Sequence, residues 1–224
     1  MNENHDELGR FASADSAGRG VVKNAVYAGV TEDQWHDWAH YSDEINDLHA
    51  GLDVKHDSDG HEMSSADKAE FKRLAEKIQT AAENHVALLP AGIAFRGESF
   101  DSLEEVKAAY PVNRSVTLGK LTSVTPDFGA AKEYAGGKYP VLVRVQQSGE
   151  GIQGVQTAPL GVPSNEIVMP RGMRFTVAKI HASGTFPGTR HTVVDLYKKE
   201  PAKGTKMNAV SPSENWAPKS FKKK

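Results

Sequence analysis

Three short segments place chemically capable side chains in an informative order along the chain. Phe95-Arg96-Gly97 sets a guanidinium at the end of an apolar run, and Leu121-Thr122-Ser123 offers two adjacent hydroxyls just ahead of a helix-start signal. Ser164-Asn165-Glu166 then puts one carboxylate directly before the run Ile-Val-Met-Pro-Arg-Gly at 167–172. A guanidinium fork binds phosphate oxygens two at a time, which a lysine point charge does less well. A carboxylate stabilises the oxocarbenium character that develops when a glycosidic bond breaks. Taken singly, each segment has an ordinary structural explanation: a snorkelling arginine, hydroxyls before a cap, an acid at a strand edge.

Other patterns do not hold up. Gly119-Lys120-Leu121-Thr122 lacks the hydroxyl that a phosphate-binding loop needs directly after its lysine, and Arg114 stands where that loop needs its first glycine. No strand–GxGxxG–helix unit is present. His36 and His40 lie one helical turn apart, as in a zinc protease helix, but Asp37 replaces the catalytic glutamate and no third ligand is evident. Asp57, Asp59, Gly60 and Glu62 miss the spacing of a calcium loop and indicate a turn. The expectation is a site without metal.

Composition narrows the setting. With 38% hydrophobic and 25% charged residues, the 224-residue chain is neither collagen-like nor wholly disordered. No stretch approaches the roughly 20 apolar residues of a membrane helix, and the N-terminus lacks a signal-peptide core. The absence of cysteine excludes disulfides, thiolate metal sites and a thiol nucleophile. Charge is unevenly spread: 8 Lys+Arg against 18 Asp+Glu over 1–85, 11 against 9 over 86–197, and 8 against 2 over 198–224. Few acids therefore compete for a catalytic role in the middle block, Glu98 and Glu150 being the others near motifs.

The elements that must position these groups follow from local signals. A polar leader is expected over 1–20, a helical region over 21–84, a β-rich domain over 85–199 and a basic disordered tail over 200–224. Thr31-Glu-Asp-Gln34 is a capping box, after which Trp35, Trp38, Ile45, Leu48 and Leu52 recur at helical spacing. Ser64/Ser65 start a second helix with Phe71, Leu74, Ile78, Ala82 and Val86 on one face. Ser102 caps a third, and Thr125-Pro126-Asp127 reads as cap, N1 proline and acidic first turn of a fourth that Gly136-Gly137 closes. Strands are expected at 92–96, 141–146, 166–169, 174–181 and 192–197, the last two as a hairpin across Gly184–Gly188. The fold class is α+β.

In order, spacing and flanks, the three segments resemble the ADP-ribosyltransferase superfamily in its Arg–Ser–Glu branch, the cholera-toxin-like and clostridial-toxin-like enzymes. That branch has a strand Arg, a Ser-Thr-Ser strand running into a helix, and a Glu-x-Glu or Gln-x-Glu loop continuing as aliphatic residues, Pro and Gly. The resemblance covers about 85–199 and implies a mainly antiparallel two-sheet core with flanking helices. It implies NAD as substrate, Arg96 on its phosphates, and Glu166 on its ribose as the catalytic carboxylate. Ser123 with Thr122 would orient Glu166 and the nicotinamide end, and Gly97 would let backbone approach the cofactor. Nicotinamide leaves as a neutral molecule, so one carboxylate can suffice.

Two positions depart from the branch: Leu121 replaces the first Ser of the triplet, and Ser164 stands at the acceptor-side position that carries Glu or Gln. The loop 147–165 is Gly-rich and poor in apolar residues, so Gln153, Gln156 and Ser164 are candidate contacts for an acceptor. The leader segment His5–Ser13 resembles short leaders of tailed-phage head and packaging proteins. The implied activity is transfer of ADP-ribose to a host protein or nucleic acid in the bacterial cytoplasm, with carriage in a virion a further option. An NAD glycohydrolase and a virion protein on a degenerate transferase scaffold are the alternatives. Acceptor and oligomeric state are open.

Overall fold

The computed structural model describes residues 26–89, 92–147, 151–157 and 166–198. The leader over 1–20, the basic tail over 200–224, Glu150 and Ser164 lie outside them. Strands β1 (Val26–Tyr27) and β2 (Val30–Thr31) form an antiparallel pair before helix α1 (Glu32–His49), and α2 (Ser65–Asn84) precedes β3 (Val86–Leu88). Then come β4 (Ile93–Phe100), α3 (Leu103–Ala109), β5 (Ser115–Thr117), β6 (Thr122–Val124) and α4 (Phe128–Tyr134). The order closes with β7 (Tyr139–Gln147), β8 (Gly151–Gln153), β9 (Val155–Gln156), β10 (Ile167–Met169), β11 (Arg174–His181) and β12 (Thr192–Lys198). Among the described residues no helix is long and apolar enough to cross a membrane. The architecture is α+β, as expected.

The chain divides into two compact units, each assembled from separated stretches. Of the described residues, 26–87, 118–123, 153–157 and 166–173 form the first, so the last three stretches, expected in the β domain, group with the helices. Both helices start as their sequences dictate. Thr31 accepts from the Gln34 N–H while Gln34 returns to the Thr31 N–H, and Ser64 and Asp67 do the same for α2. Their apolar faces, led by Trp35, Trp38, Ile45, Leu74 and Ile78, bury Leu121, Val155 and Val168 from the strands. Those strands form a three-stranded sheet in the order β6-β10-β9. Leu52 and Val86 were expected on the helical faces; instead they lie past the helix ends and are exposed, because α1 and α2 stop at His49 and Asn84.

The second unit is built on a five-stranded sheet in the order β4-β7-β12-β11-β5. β11 and β12 form the expected hairpin, and β4–β7 and β11–β5 are also antiparallel. The central pair β7–β12 is parallel, with Arg144 opposite Asp195. Strands buried on both faces read as continuous apolar runs, which Val-Leu-Val and Thr-Val-Val provide. Helix α4 lies on β4, its Phe128 and Ala131, with Ala135 at its C-cap, packing with Phe95, Leu142, Phe186 and Val193. The expected Thr125 cap is corrected to Asp127, whose Oδ1 accepts from the N–H groups of Gly129 and Ala130.

Candidate active site

Ser123 and Glu166 belong to the first unit. Ser123 lies in β6, next to β10, the strand that Glu166 leads into. Glu166 is partly exposed, whereas Ile167, Val168 and Met169 after it are buried. Its carbonyl is held by Thr157, which donates from its backbone N–H at 2.8 Å and its hydroxyl at 3.2 Å. Register pairs Ile167 with Gln156 and Val168 with Val155. The acid is therefore anchored through its own backbone at the mouth of a buried strand. Thr122 and Ser123 are partly exposed, and the Thr122 hydroxyl donates to the Lys120 carbonyl at 3.0 Å. Thr122, expected beside the cofactor, thus has a local backbone partner.

Leu121 is a core residue, 3% exposed, and it packs in the cluster that joins helices to sheet. Leucine at this position places apolar surface where the helices need it. Its backbone is held from α1 by Asn46, and the backbone of Arg171 beyond β10 is held from α2 by Gln79. Sequence inspection missed both amides, because a polar residue on a helix gives no local signal of a partner some 75 or 92 positions away.

Arg96 and Gly97 belong to the second unit. Phe95, beside Arg96, exchanges both backbone hydrogen bonds with Thr125 at 2.8 Å each. Arg96 is partly exposed; its Nε donates to Glu98 Oε1 at 3.1 Å, and the Tyr110 hydroxyl donates to Glu98 Oε2 at 2.7 Å. Residues 96 and 98 share one face of β4, so the strand itself sets this pair. Burial and the Glu98 charge push the Tyr110 phenol far above its ordinary range, which keeps it a donor. In the sequence Glu98 stands near the motif, and its i, i+2 spacing from Arg96 is the one local signal of this pairing. Gly97 faces the other way, and a Cβ there would strike the backbone of Ala131 and Tyr134 in α4 and of Ala135, its C-cap. The glycine therefore has a packing reason of its own.

Deeper in the same unit, Arg144 and Asp195 form a two-pronged buried pair, with Nε and Nη2 each 2.8 Å from a carboxylate oxygen. His181 Nε2 meets Asp195 Oδ2 at 2.8 Å, and the guanidinium lies over the Phe186 ring. In the first unit, Asp57, Asp59 and His61 bring ligating atoms within 4.8 Å of one another. The chain's own groups engage this turn: Asp57 Oδ1 accepts from the N–H groups of Asp59 and His61, and Asp59 meets His40 and Tyr41.

No protein-family model matches the sequence, and no curated protein matches it significantly. Solved structures do match. Vis toxin, an ADP-ribosyltransferase from Vibrio splendidus, superposes with a TM-score of 0.54 at 17% identity, over 79% of this chain and 75% of that one. An ADP-ribosyltransferase from Clostridium botulinum gives 0.51 at 14% identity, over 74% of this chain and 84% of that one. This is an ADP-ribosyltransferase fold. The catalytic domain of VahC from Aeromonas hydrophila gives 0.50 at 12% identity, over 74% of this chain and 96% of that domain.

Proposed function

We propose that this protein is a mono-ADP-ribosyltransferase that cleaves the nicotinamide–ribose bond of NAD and passes ADP-ribose to a host macromolecule. The carrying observation is the neighbouring of β6 and β10, which sets the Ser123 strand beside the strand that the partly exposed Glu166 opens, within a fold shared with ADP-ribosyltransferases. Leu121 has a core role, which gives its departure from the Ser-Thr-Ser pattern a packing reason.

In this reading the Arg96 fork binds pyrophosphate oxygens, while Glu98 steadies its Nε. Glu166 bonds the ribose hydroxyls and stabilises positive charge at the anomeric carbon as the bond to nicotinamide lengthens. The bonding electrons leave with nicotinamide, which departs neutral. An acceptor nucleophile then attacks the anomeric carbon and releases its proton. Ser123 orients Glu166. Vis has been solved with agmatine, a small guanidine, which makes agmatine a useful trial acceptor here.

The test is incubation with labelled NAD and bacterial lysate, with or without agmatine, followed by mass spectrometry of labelled species. Glu166→Gln is expected to lower transfer by about 10²–10³-fold, and Arg96→Ala to raise KM for NAD. Undiminished transfer by Glu166→Gln overturns the assignment. Free ADP-ribose formed in step with nicotinamide, with no labelled acceptor, marks a glycohydrolase instead.

A further inference from the structure

Two amide side chains, one from each long helix, hold the backbone beside the strands that carry Ser123 and follow Glu166. Asn46 in α1, 7% exposed, donates from Nδ2 to the Leu121 carbonyl at 3.1 Å and accepts at Oδ1 from the Leu121 N–H at 2.9 Å. It thereby engages both backbone groups of the residue directly before Thr122. Gln79 in α2 repeats the arrangement: Oε1 accepts from the Arg171 N–H at 2.9 Å, and Nε2 donates to the Arg171 carbonyl at 3.2 Å. Arg171 is the second residue after β10. A neutral amide offers a donor and an acceptor side by side, so it can stand in for a neighbouring strand. Ion pairing and a cap contact flank these clamps, Lys120 with Asp47 at 2.7 Å and Arg171 Nη1 with the His49 carbonyl at 3.3 Å.

β6 and β10 are three residues long, and β9 is two. Strands this short make few ladder hydrogen bonds, and their apolar contacts, being non-directional, tolerate sliding along the helices. The two clamps are directional and fix position along the strand. We propose that Asn46 and Gln79 are positioning residues for catalysis: the helical pair acts as a brace that fixes β6 and β10, and so the attitude of Ser123 and Glu166 toward NAD. This inference rests on the transferase reading above. It gives the acidic helical region a catalytic task separate from contact with any partner.

The test measures nicotinamide release by the full-length protein at 25 °C. The variants are Gln79→Met, which removes both donor and acceptor, and Asn46→Asp, which removes the donor, each at similar side-chain length, with Phe71→Leu as control. Phe71 packs on Tyr41 at a ring separation of 5.3 Å and makes no clamp. Both clamp variants are expected to lower kcat about 10- to 100-fold, with KM for NAD unchanged because Arg96 is untouched. Phe71→Leu is expected to lower the melting temperature while keeping kcat. The inference is overturned if the clamp variants keep the wild-type kcat, or if the control loses as much kcat at an equal loss of melting temperature. Should Asn46→Asp fail to fold, Gln79→Met decides, since Gln79 is partly exposed. Active wild type with inactive Glu166→Gln and unaffected clamp variants refutes the brace alone. A wild type that releases no nicotinamide refutes the transferase reading and the brace with it.

Discussion

Gly97→Ala separates two roles for a residue whose backbone is expected beside the cofactor. An added Cβ would lie at 2.5 Å or less from Ala135 N, Ala131 O and Tyr134 C, whereas ordinary contact begins at 3.4 Å. All three are backbone atoms, so no side chain can swing aside; the helix must retreat by about 1 Å or β4 must bow. Retreat draws Phe128, Ala131 and Ala135 away from Phe95 and Leu142, loosening the cluster that seals this face of the sheet. Overpacking of this kind costs about 3 kcal/mol, which for a chain of this size lowers the melting temperature by roughly 6–12 °C. Urea titration should show a lower midpoint with an unchanged slope, the mark of lost stability without a change of state. An unchanged midpoint combined with a raised KM for NAD would refute the packing argument and return Gly97 to the cofactor.

Two further outcomes follow from the charged groups. Replacing either partner of the buried pair, as Arg144→Met or Asp195→Leu, should cost about 3–5 kcal/mol, and the double substitution should recover part of that, His181 still lacking its carboxylate; a urea double-mutant cycle measures the coupling, and additive losses would contradict the pairing. Burial, then the Arg171 charge, hold the His49 imidazole below its ordinary range, and burial with Lys132 does the same for His191. The unfolded chain therefore takes up protons first: stability is complete above about pH 6.5 and declines as pH falls from there to the lowered native values. Melting temperatures at about pH 7.5 and about pH 5.5 should show this decline, and His49→Gln should flatten it.

What the sequence made legible was what local chemistry decides. Thr31, Ser64 and Ser102 each accept from an N–H three residues on, a bond closed within one turn and written in consecutive residues. Thr125 was misassigned because two good caps stand two residues apart. A tertiary contact chose between them: Thr125 is held extended against Phe95, its hydroxyl accepts from the Asp127 N–H, and Asp127 opens the helix. Strands of two or three residues, such as Ser115–Thr117 and Val155–Gln156, are too short to show a period and emerge only through their partners. Arg144 and Asp195 were visible as charges inside apolar runs, but their meeting depends on a parallel register that neither run encodes. The order Arg96, Ser123, Glu166 was legible as a motif; the amides that hold the neighbouring backbone were not, because they act across long separations.

The parallel join at the middle of the large sheet governs when that sheet can exist. β12 sits between β7 and β11, so the strands made earlier flank an open slot until residues 192–198 leave the ribosome. Filling the slot closes a loop of about 50 residues against β7, a slow non-local step. It also brings Asp195 onto Arg144 in the same movement, so the ionic latch and the central ladder form together. A nascent chain stopped short of β12 carries two half-sheets with bare edges, ready to pair with another copy; β12 is the piece that commits the unit to folding alone.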